Sequence, residues 1–541
     1  MPVEQRTVNV CQGTGCVSAG AERILTLLKE EIATLPLRDT VHVRGTGCHG
    51  LCQAAPLVAI EPEGILYARV SPDDIPDIAR SLLPDGKPLE RLFYYDSVID
   101  RRVPHFRDIP FYYKQQRFVL RNLGRIDPNL IEDFISQGGY QAARKAIVDM
   151  SSEEVIEEVK LSGIRGLGGA GFPAGRKWEA CRIETREPKY VICNGDEGDP
   201  GAFQDCAVME GDPHSILEGM IIAGRSVGAH TGYIFVRAEY PRAVTRLRTA
   251  ITQARERGYL GHNVMGTGFD FDIHIFQGAG AFVCGESTAL VRSIEGGRGL
   301  PKAFPRERTT RSGLWGSPTL LNNVKTFASI PLIVGRGGAW FASRGTDSSK
   351  GTAVFALAGN VVNTGLIEVP MGTRLREIVY DIGGGIRGGR AFKAVQTGGP
   401  SGGCIPADLL NLPVDFDSLT EAGSMMGSGG MIVMDQDTCM VDVARYFLEF
   451  TRRESCGQCA PCRVGTRQMY DILDGICRRQ GRPGDVELLV ELGEAIASTS
   501  LCALGQSAPN PVLTTIRYFR DEYDAHIIEG YCPAGVCAAY Q

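Results

Sequence analysis

Cys456, Cys459 and Cys462 stand three positions apart within residues 454–463, and Cys502 follows forty positions later. Three thiolates on a tight loop plus one remote thiolate form a ligand set for a four-iron cubane, a [4Fe–4S] cluster. A structural zinc also accepts four cysteines, but usually as two Cys-x2-Cys pairs. A helix bearing three buried cysteines is disfavoured, because Gly457 and Pro461 are expected to break it. The chain must therefore fold around a redox centre held by a loop.

Composition agrees with that demand. The 541 residues allow about three or four domains. The net charge of −6 comes without a basic block, so neither nucleic acid nor an anionic membrane is the expected partner. No apolar run approaches the ~20 residues needed to span a bilayer, so no membrane insertion is expected. The opening residues lack the apolar segment of a signal peptide, which makes the cytoplasm the expected compartment. Thiols stay reduced there, so seventeen cysteines argue for metal rather than disulfides.

The first 88 residues read as a small α/β unit. Strands are expected over 7–11 and 41–44, a helix over 21–33, and a hairpin from 57–60 to 65–70. Cys11 and Cys16 form Cys-x4-Cys, and Cys48 and Cys52 form Cys-x3-Cys, both in glycine-containing loops. Free loop amides can bond cluster sulfides and tune the potential. This double-loop spacing resembles the thioredoxin-like [2Fe–2S] ferredoxins; zinc, or the fold without metal, are the alternatives. Residues 89–147 read as a connector whose mixed aromatic and basic stretch, 111–117, packs against the next domain.

Residues 163–175 hold six glycines, among them Gly166, Gly168 and Gly169, and Phe172 lies in the same loop. Bare amides there can approach a phosphate, with Lys177 as the fixed cation. The loop is neither a Walker loop nor the spaced dinucleotide fingerprint. A buried-type strand over 190–193 then runs into Asn194, Asp196, Glu197 and Asp199, placed to meet ligand hydroxyls and amides. Residues 282–290, with Gly285 and Glu286, again join a strand to a helix, and Asn322 and Asn323 offer paired amides.

These four segments, followed by Ser-Cys-Gly-x-Cys-x-Pro-Cys-Arg, resemble the NADH-binding flavoprotein subunit of respiratory complex I. The same set occurs in diaphorase subunits of multimeric hydrogenases and of NAD-linked formate dehydrogenases. The resemblance covers roughly residues 120–525. It implies FMN contacts at Gly166, Gly168, Gly169, Lys177, Asn194, Asp196, Glu197, Asp199, Gly285, Glu286, Asn322, Asn323 and Thr326. It places Phe172 over the adenine side of a dinucleotide. The implied architecture is a multidomain α/β chain: a thioredoxin-like domain (1–88), the connector (89–147) and a Rossmann-like FMN and NAD(P) domain (148–345). A β-grasp, SLBB-like domain (346–435), a helical bundle with the [4Fe–4S] cluster (436–528) and a Cys-Pro-Ala-Gly-Val-Cys tail (529–541) follow.

Three departures from the complex I pattern matter. Ser287 stands where that family usually has a glutamate near the adenosine ribose, removing a repulsion against a 2′-phosphate. Arg306, Arg308 and Arg311 fall within six residues and could clamp a phosphate; a solvated loop is the plainer reading. Both changes point to NADP(H), alone or alongside NAD(H). The third departure is the tail, which resembles that of electron-bifurcating hydrogenase diaphorases. Cys532 and Cys537 with His526 and Cys439 could form a zinc site, an iron–sulfur set completed by a partner, or an inert group.

The implied activity is hydride exchange between NAD(P)H and FMN, with single electrons passing to the clusters. No terminal substrate site is visible. The expected partners are therefore other subunits of a hydrogenase, or of an NAD(P)-linked formate dehydrogenase, with ferredoxin a further candidate. A nucleotide-binding iron–sulfur scaffold without turnover is the rival from another class.

Overall fold

The computed structural model describes residues 6–37, 40–303 and 307–540. Arg306 lies outside the described residues.

The N-terminal unit is a four-stranded sheet in the order β2-β1-β3-β4, built from β1 (Arg6–Cys11), β2 (Val41–Thr46), β3 (Leu57–Glu61) and β4 (Ile65–Ala68). Apolar residues of the helix Ala21–Thr34 recur at Ala21, Ile24, Leu28 and Ile32, and this stripe is buried. β1 and β2 run parallel with Cys11 opposite Thr46. Parallel pairing carries both strand ends to one edge, so the loops bearing Cys11/Cys16 and Cys48/Cys52 emerge side by side.

The connector does more than pack. β5 (Tyr94–Asp96) and β6 (Arg101–Val103) form a hairpin. Further on, the Glu368 carboxylate accepts hydrogen bonds from the amides of Phe118, Val119 and Leu120, each at 2.9 Å.

The central sheet is wholly parallel, in the order β10-β7-β8-β9. Its strands are β7 (Tyr190–Gly195), β8 (Thr231–Arg237), β9 (Asp272–Gly278) and β10 (Thr319–Asn323). The chain starts at β7, builds outward through β8 and β9, then returns to place β10 on the other side of β7. That reversal opens a crevice beyond the carboxyl ends of β7 and β10, where ligands of open α/β sheets bind.

A five-stranded sheet follows, ordered β12-β11-β15-β13-β14, from β11 (Thr352–Gly359), β12 (Gly365–Pro370), β13 (Phe392–Thr397), β14 (Gly403–Pro406) and β15 (Gly430–Asp435). Many of its buried residues, among them Phe355, Ile367, Val395 and Val433, share one continuous apolar cluster with the N-terminal unit. The C-terminal region is a ring of four helices. Met440–Arg453 and Asp485–Thr499 each pack on both Thr466–Cys477 and Asn510–Tyr518. Among the described residues no helix is long and apolar enough to cross a membrane.

Candidate active site and metal centres

At the crevice Asn194 pairs in register with Asn323 across β7 and β10. The Asn194 amide donates to the Gly285 carbonyl at 3.0 Å and its oxygen accepts from the Asp196 amide at 3.0 Å. Asn323 caps the helix Val324–Arg336 and donates to Asp205 at 2.6 Å. Asn322, one position earlier, faces the opposite side of the strand, as period-two alternation requires. With its amide turned to satisfy both ends, Oδ1 accepts from Trp178 Nε1 at 2.9 Å and Nδ2 donates to Leu321 O at 3.1 Å. The two amides expected as a pair thus do different work.

The glycine loop lies against this edge. Thr326 accepts from the Leu167 amide through its hydroxyl at 3.0 Å. A Cβ on Gly168 would stand 3.0 Å from Asn323 Cβ, and Gly169 takes φ +114°, where side chains are disfavoured. The loop closes into the helix Ala174–Arg182, and Lys177 on its first turns directs Nζ to Leu321 O at 2.9 Å. No carboxylate lies within salt-bridge reach of Lys177 among the described residues, and burial lowers its pKa to about 8.

Three carboxylates face or underlie the crevice. Both oxygens of Asp196 are buried without a hydrogen-bond partner among the described residues. Burial raises the Asp196 pKa to about 7. Glu197 accepts from the Asp205 and Cys206 amides at 2.9 and 3.0 Å, capping the helix Gln204–Gly211. Its pKa also rises to about 7, chiefly through burial. Asp199 accepts from the Ser428 hydroxyl at 2.7 Å, and burial raises its pKa to about 6. Glu286 caps the helix Ser287–Ile294 through the Thr288 and Ala289 amides, with Ser287 at its first position. Phe172 is 39% exposed, and Arg308 stands 5.7 Å from its ring centroid. Arg311 pairs with Glu307 at 3.7 Å.

The sequence reading missed two members of this site. Asp205 and Lys325 are both buried and 2.7 Å apart. They lie 120 positions apart, and neither belongs to a motif.

Orphaned Asp196 oxygens, an unneutralised lysine and a glycine cradle are what an ordered, phosphate-bearing flavin would complete. The donor groups therefore fit FMN.

Cys456, Cys459, Cys462 and Cys502 line one enclosed pocket with Val283, Pro301, Leu501 and Leu504. Four thiols converging within apolar walls fit a [4Fe–4S] cluster. Gly457, at φ +78°, breaks the chain away from helical geometry as expected. Pro461, however, sits in the first turn leading into the helix Thr466–Cys477, where its missing N–H costs nothing. Glu454, just before this loop, accepts from the Phe282 amide at 3.0 Å and ties it to the turn that leads to Gly285.

In the N-terminal unit Cys11, Cys16 and Cys48 are buried and Cys52 is partly exposed. Cys48 and Cys52 sulfurs lie 3.9 Å apart, and the His49 amide donates to Cys11 Sγ at 3.4 Å. Two cysteine pairs, one already bonded by a loop amide, fit a [2Fe–2S] cluster. A cleft of about 630 Å³ separates Cys48 and Cys52 from Cys206 and Glu210 of the central domain.

Cys439, His526, Cys532 and Cys537 come together although the first is 87 positions from the second. All four are buried, with ligand atoms within 4.8 Å of one another. His526 Nε2 is 3.6 Å from both Cys439 Sγ and Cys537 Sγ, and its Nδ1 faces Glu522 O at 2.6 Å. That carbonyl fixes the tautomer that leaves Nε2 free for a metal.

A nucleotide-type crevice set between two four-thiol pockets defines the class: oxidoreductases that join a flavin to iron–sulfur clusters. Comparison with known proteins agrees. Residues 159–332 match the Nuo51 FMN-binding domain, 442–526 the iron–sulfur binding region of NADH-ubiquinone oxidoreductase-F, and 1–83 the thioredoxin-like [2Fe–2S] ferredoxins. The chain is 54% identical over 426 residues to the NADP-reducing hydrogenase subunit HndC of Solidesulfovibrio fructosivorans, covering 79% of this chain and 86% of that protein. It is 40% identical over 417 residues to the F subunit of NADH-quinone oxidoreductase in Escherichia coli (strain K12), covering 75% and 94%. A crystal structure of NAD+-reducing [NiFe]-hydrogenase in the H2-reduced state superposes with a TM-score of 0.67 at 29% identity, over 97% of this chain and 85% of that one. The chain belongs to the family of the NADH-quinone oxidoreductase F subunit, whose members are FMN- and iron–sulfur-binding components of NAD(P)H oxidoreductases. It is a redox enzyme component with FMN-binding, [4Fe–4S] and [2Fe–2S] domains.

Proposed function

We propose that this chain is the dinucleotide-handling subunit of a cytoplasmic hydrogenase complex. The observation that carries the reading is the 54% identity to HndC together with likeness to an NAD+-reducing hydrogenase over nearly the whole chain, fused N-terminal domain included. Bound FMN would supply the conversion between hydride transfer with NAD(P) and one-electron transfer to clusters. Every other part of the task falls to the protein. Lys177 and the amides of Gly166, Gly168 and Gly169 hold the flavin phosphate. Asn194, Asp196, Gly285, Glu286, Asn323 and Thr326 seat the remaining polar edge, and Asn322 contributes by fixing the strand end through Trp178. Glu197 and Asp199 shape the floor. The [4Fe–4S] cluster sits on Cys456, Cys459, Cys462 and Cys502, and the [2Fe–2S] cluster on Cys11, Cys16, Cys48 and Cys52. Zinc on Cys439, His526, Cys532 and Cys537 pins the tail to the helical ring.

Ser287 at a helix start and Arg308 beside Phe172 favour a dinucleotide with a 2′-phosphate. NADP(H) is thus accepted alongside NAD(H), and ferredoxin is a further exchange partner of the complex. The test is purification of the native complex, followed by dye reduction with NADH and NADPH and by H2-dependent NAD(P)+ reduction. Reduction by both dinucleotides and by H2 is expected. Formate-dependent reduction without H2 activity would replace the hydrogenase by a formate dehydrogenase. No dye reduction by the flavin-loaded protein would leave only a scaffold.

A further inference from the structure

A pocket of about 400 Å³ lies on the far side of the Cys48 loop, between the N-terminal unit and the connector, and none of the roles above uses it. Arg107, Arg117, Arg121 and Arg125 line it together with Phe106 and Tyr112. Glu61 is the carboxylate among its lining residues, 4.0 Å from Arg107. Arg117, Arg121 and Arg125 have no carboxylate within salt-bridge reach among the described residues.

The inner guanidinium groups are held, but by neutral groups. Arg117 donates to His49 O at 3.1 Å and to the Gln115 side-chain oxygen at 3.3 Å. Arg121 donates to Phe118 O and Ala328 O at 2.9 and 3.1 Å. These bonds orient the planes, while the buried carboxylates that act on the charges, Glu368 on Arg117 and Asp212 and Glu218 on Arg121, stay beyond ion-pair distance. Behind the wall Glu368 gives its oxygens to three backbone amides and the Thr352 hydroxyl. Arg117 also lies 5.2 Å over the Tyr112 ring, and burial lowers its pKa. Four arginines around one cavity with only distant carboxylates are incompletely neutralised, and an anion between them would lower that cost.

The volume lies in the range of small-molecule sites, roughly 300–1,000 Å³. Planar guanidinium forks match phosphate oxygens, and aromatic faces match a flat ring. We propose that this pocket binds a small organic phosphate of the mononucleotide class, with its phosphate among the arginines and its ring against Phe106 and Tyr112.

The test uses the full chain with its clusters, titrated calorimetrically with AMP and separately with inorganic pyrophosphate. R107E/R125E is the comparison, with R125A as a milder variant. Arg107 and Arg125 are exposed and lie outside the flavin crevice and the thiol sets, so dye reduction by NADH should be unchanged. The expected result is AMP binding tighter than pyrophosphate, weakened at least tenfold in R107E/R125E and less in R125A. Binding of neither ligand overturns the proposal. So does AMP binding that both variants leave intact, since it then occupies the dinucleotide crevice. Pyrophosphate binding tighter than AMP overturns the mononucleotide class.

Discussion

Lys325 holds its ammonium 2.7 Å from Asp205 Oδ1 beneath the flavin crevice, and both side chains are almost wholly excluded from water. Asp205 also accepts from Asn323, and its own amide bonds Glu197. One buried ion pair therefore underpins both strand ends that form the site. Breaking such a pair by removing one partner costs about 3–5 kcal/mol, because the other charge stays buried. K325M should lower the temperature at which flavin is released, and K325M/D205L should recover much of the loss. Flavin fluorescence during heating checks this; a double variant no better than K325M would show that the stranded Asp205 charge is not the source of the loss.

Lys177 has no acidic partner among the described residues, so its charge is available to a ligand phosphate. A hydrogen bond to a charged group contributes about 1.5–3 kcal/mol, which is roughly a 10- to 100-fold change in affinity. K177M should weaken FMN binding by that factor, and K177R by less. Titration of flavin-free protein with FMN measures both.

The acid–base behaviour of the empty site has a definite sign. Burial raises the Asp196 carboxyl from an ordinary value near 3.8 to about 7. The folded flavin-free protein thus binds more protons than the unfolded chain between these values. Its stability should fall as pH rises from about 4 to about 7. D196N should flatten part of that fall, with Glu197, Asp199 and the other buried carboxylates raised in the same sense, Glu218 among them, contributing to the remainder. Thermal melts of flavin-free protein across this window would show it, and a slope unchanged in D196N would contradict it.

The Cys3His group makes a stoichiometric claim. Elemental analysis should find one zinc per chain beyond the iron, absent from H526A and from C537S. Hydrogen exchange over residues 525–540 should quicken in these variants while iron content holds. Zinc-free native protein would remove the metal from this site.

The cubane should be separable from the flavin. C502S should lose the electron paramagnetic resonance signal of the [4Fe–4S] cluster, keep flavin absorbance, and still exchange hydride with NADH.

Much of this was legible because the chemistry is local. The spacing at Cys456–Cys459–Cys462 and the glycine run are readable within a dozen residues, and the N-terminal strands fell within a few residues of their expected bounds. Even the long-range Cys439–His526 meeting could be anticipated as one of three alternatives, since the Cys532 and Cys537 tail offers two thiols close in sequence to His526. Other features had no local signature. Asp205–Lys325 depends on β10 returning beside β7, which no periodicity encodes. Asn322 and Asn323 look equivalent in sequence, and strand alternation separates them only once the register is known. The connector's arginines read as packing because the Cys48 loop that turns them into a pocket wall lies some 70 positions away in the chain.

Gly47 and Gly211 meet so closely that a Cβ on Gly47 would stand 2.5 Å from Gly211 Cα. Near that seam Leu366 donates to Gly50 O at 2.8 Å and Gln53 to Thr364 O at 3.1 Å. Backbone contacts therefore help to set how far the N-terminal thiol loops stand from the crevice, alongside Arg242, which donates to Gln12 O and to Glu22 at 2.6 Å each. A spacing set by glycine on one side and main-chain bonds on the other works as a built-in gauge for the distance an electron would cross between a flavin in the crevice and a cluster on the N-terminal thiols.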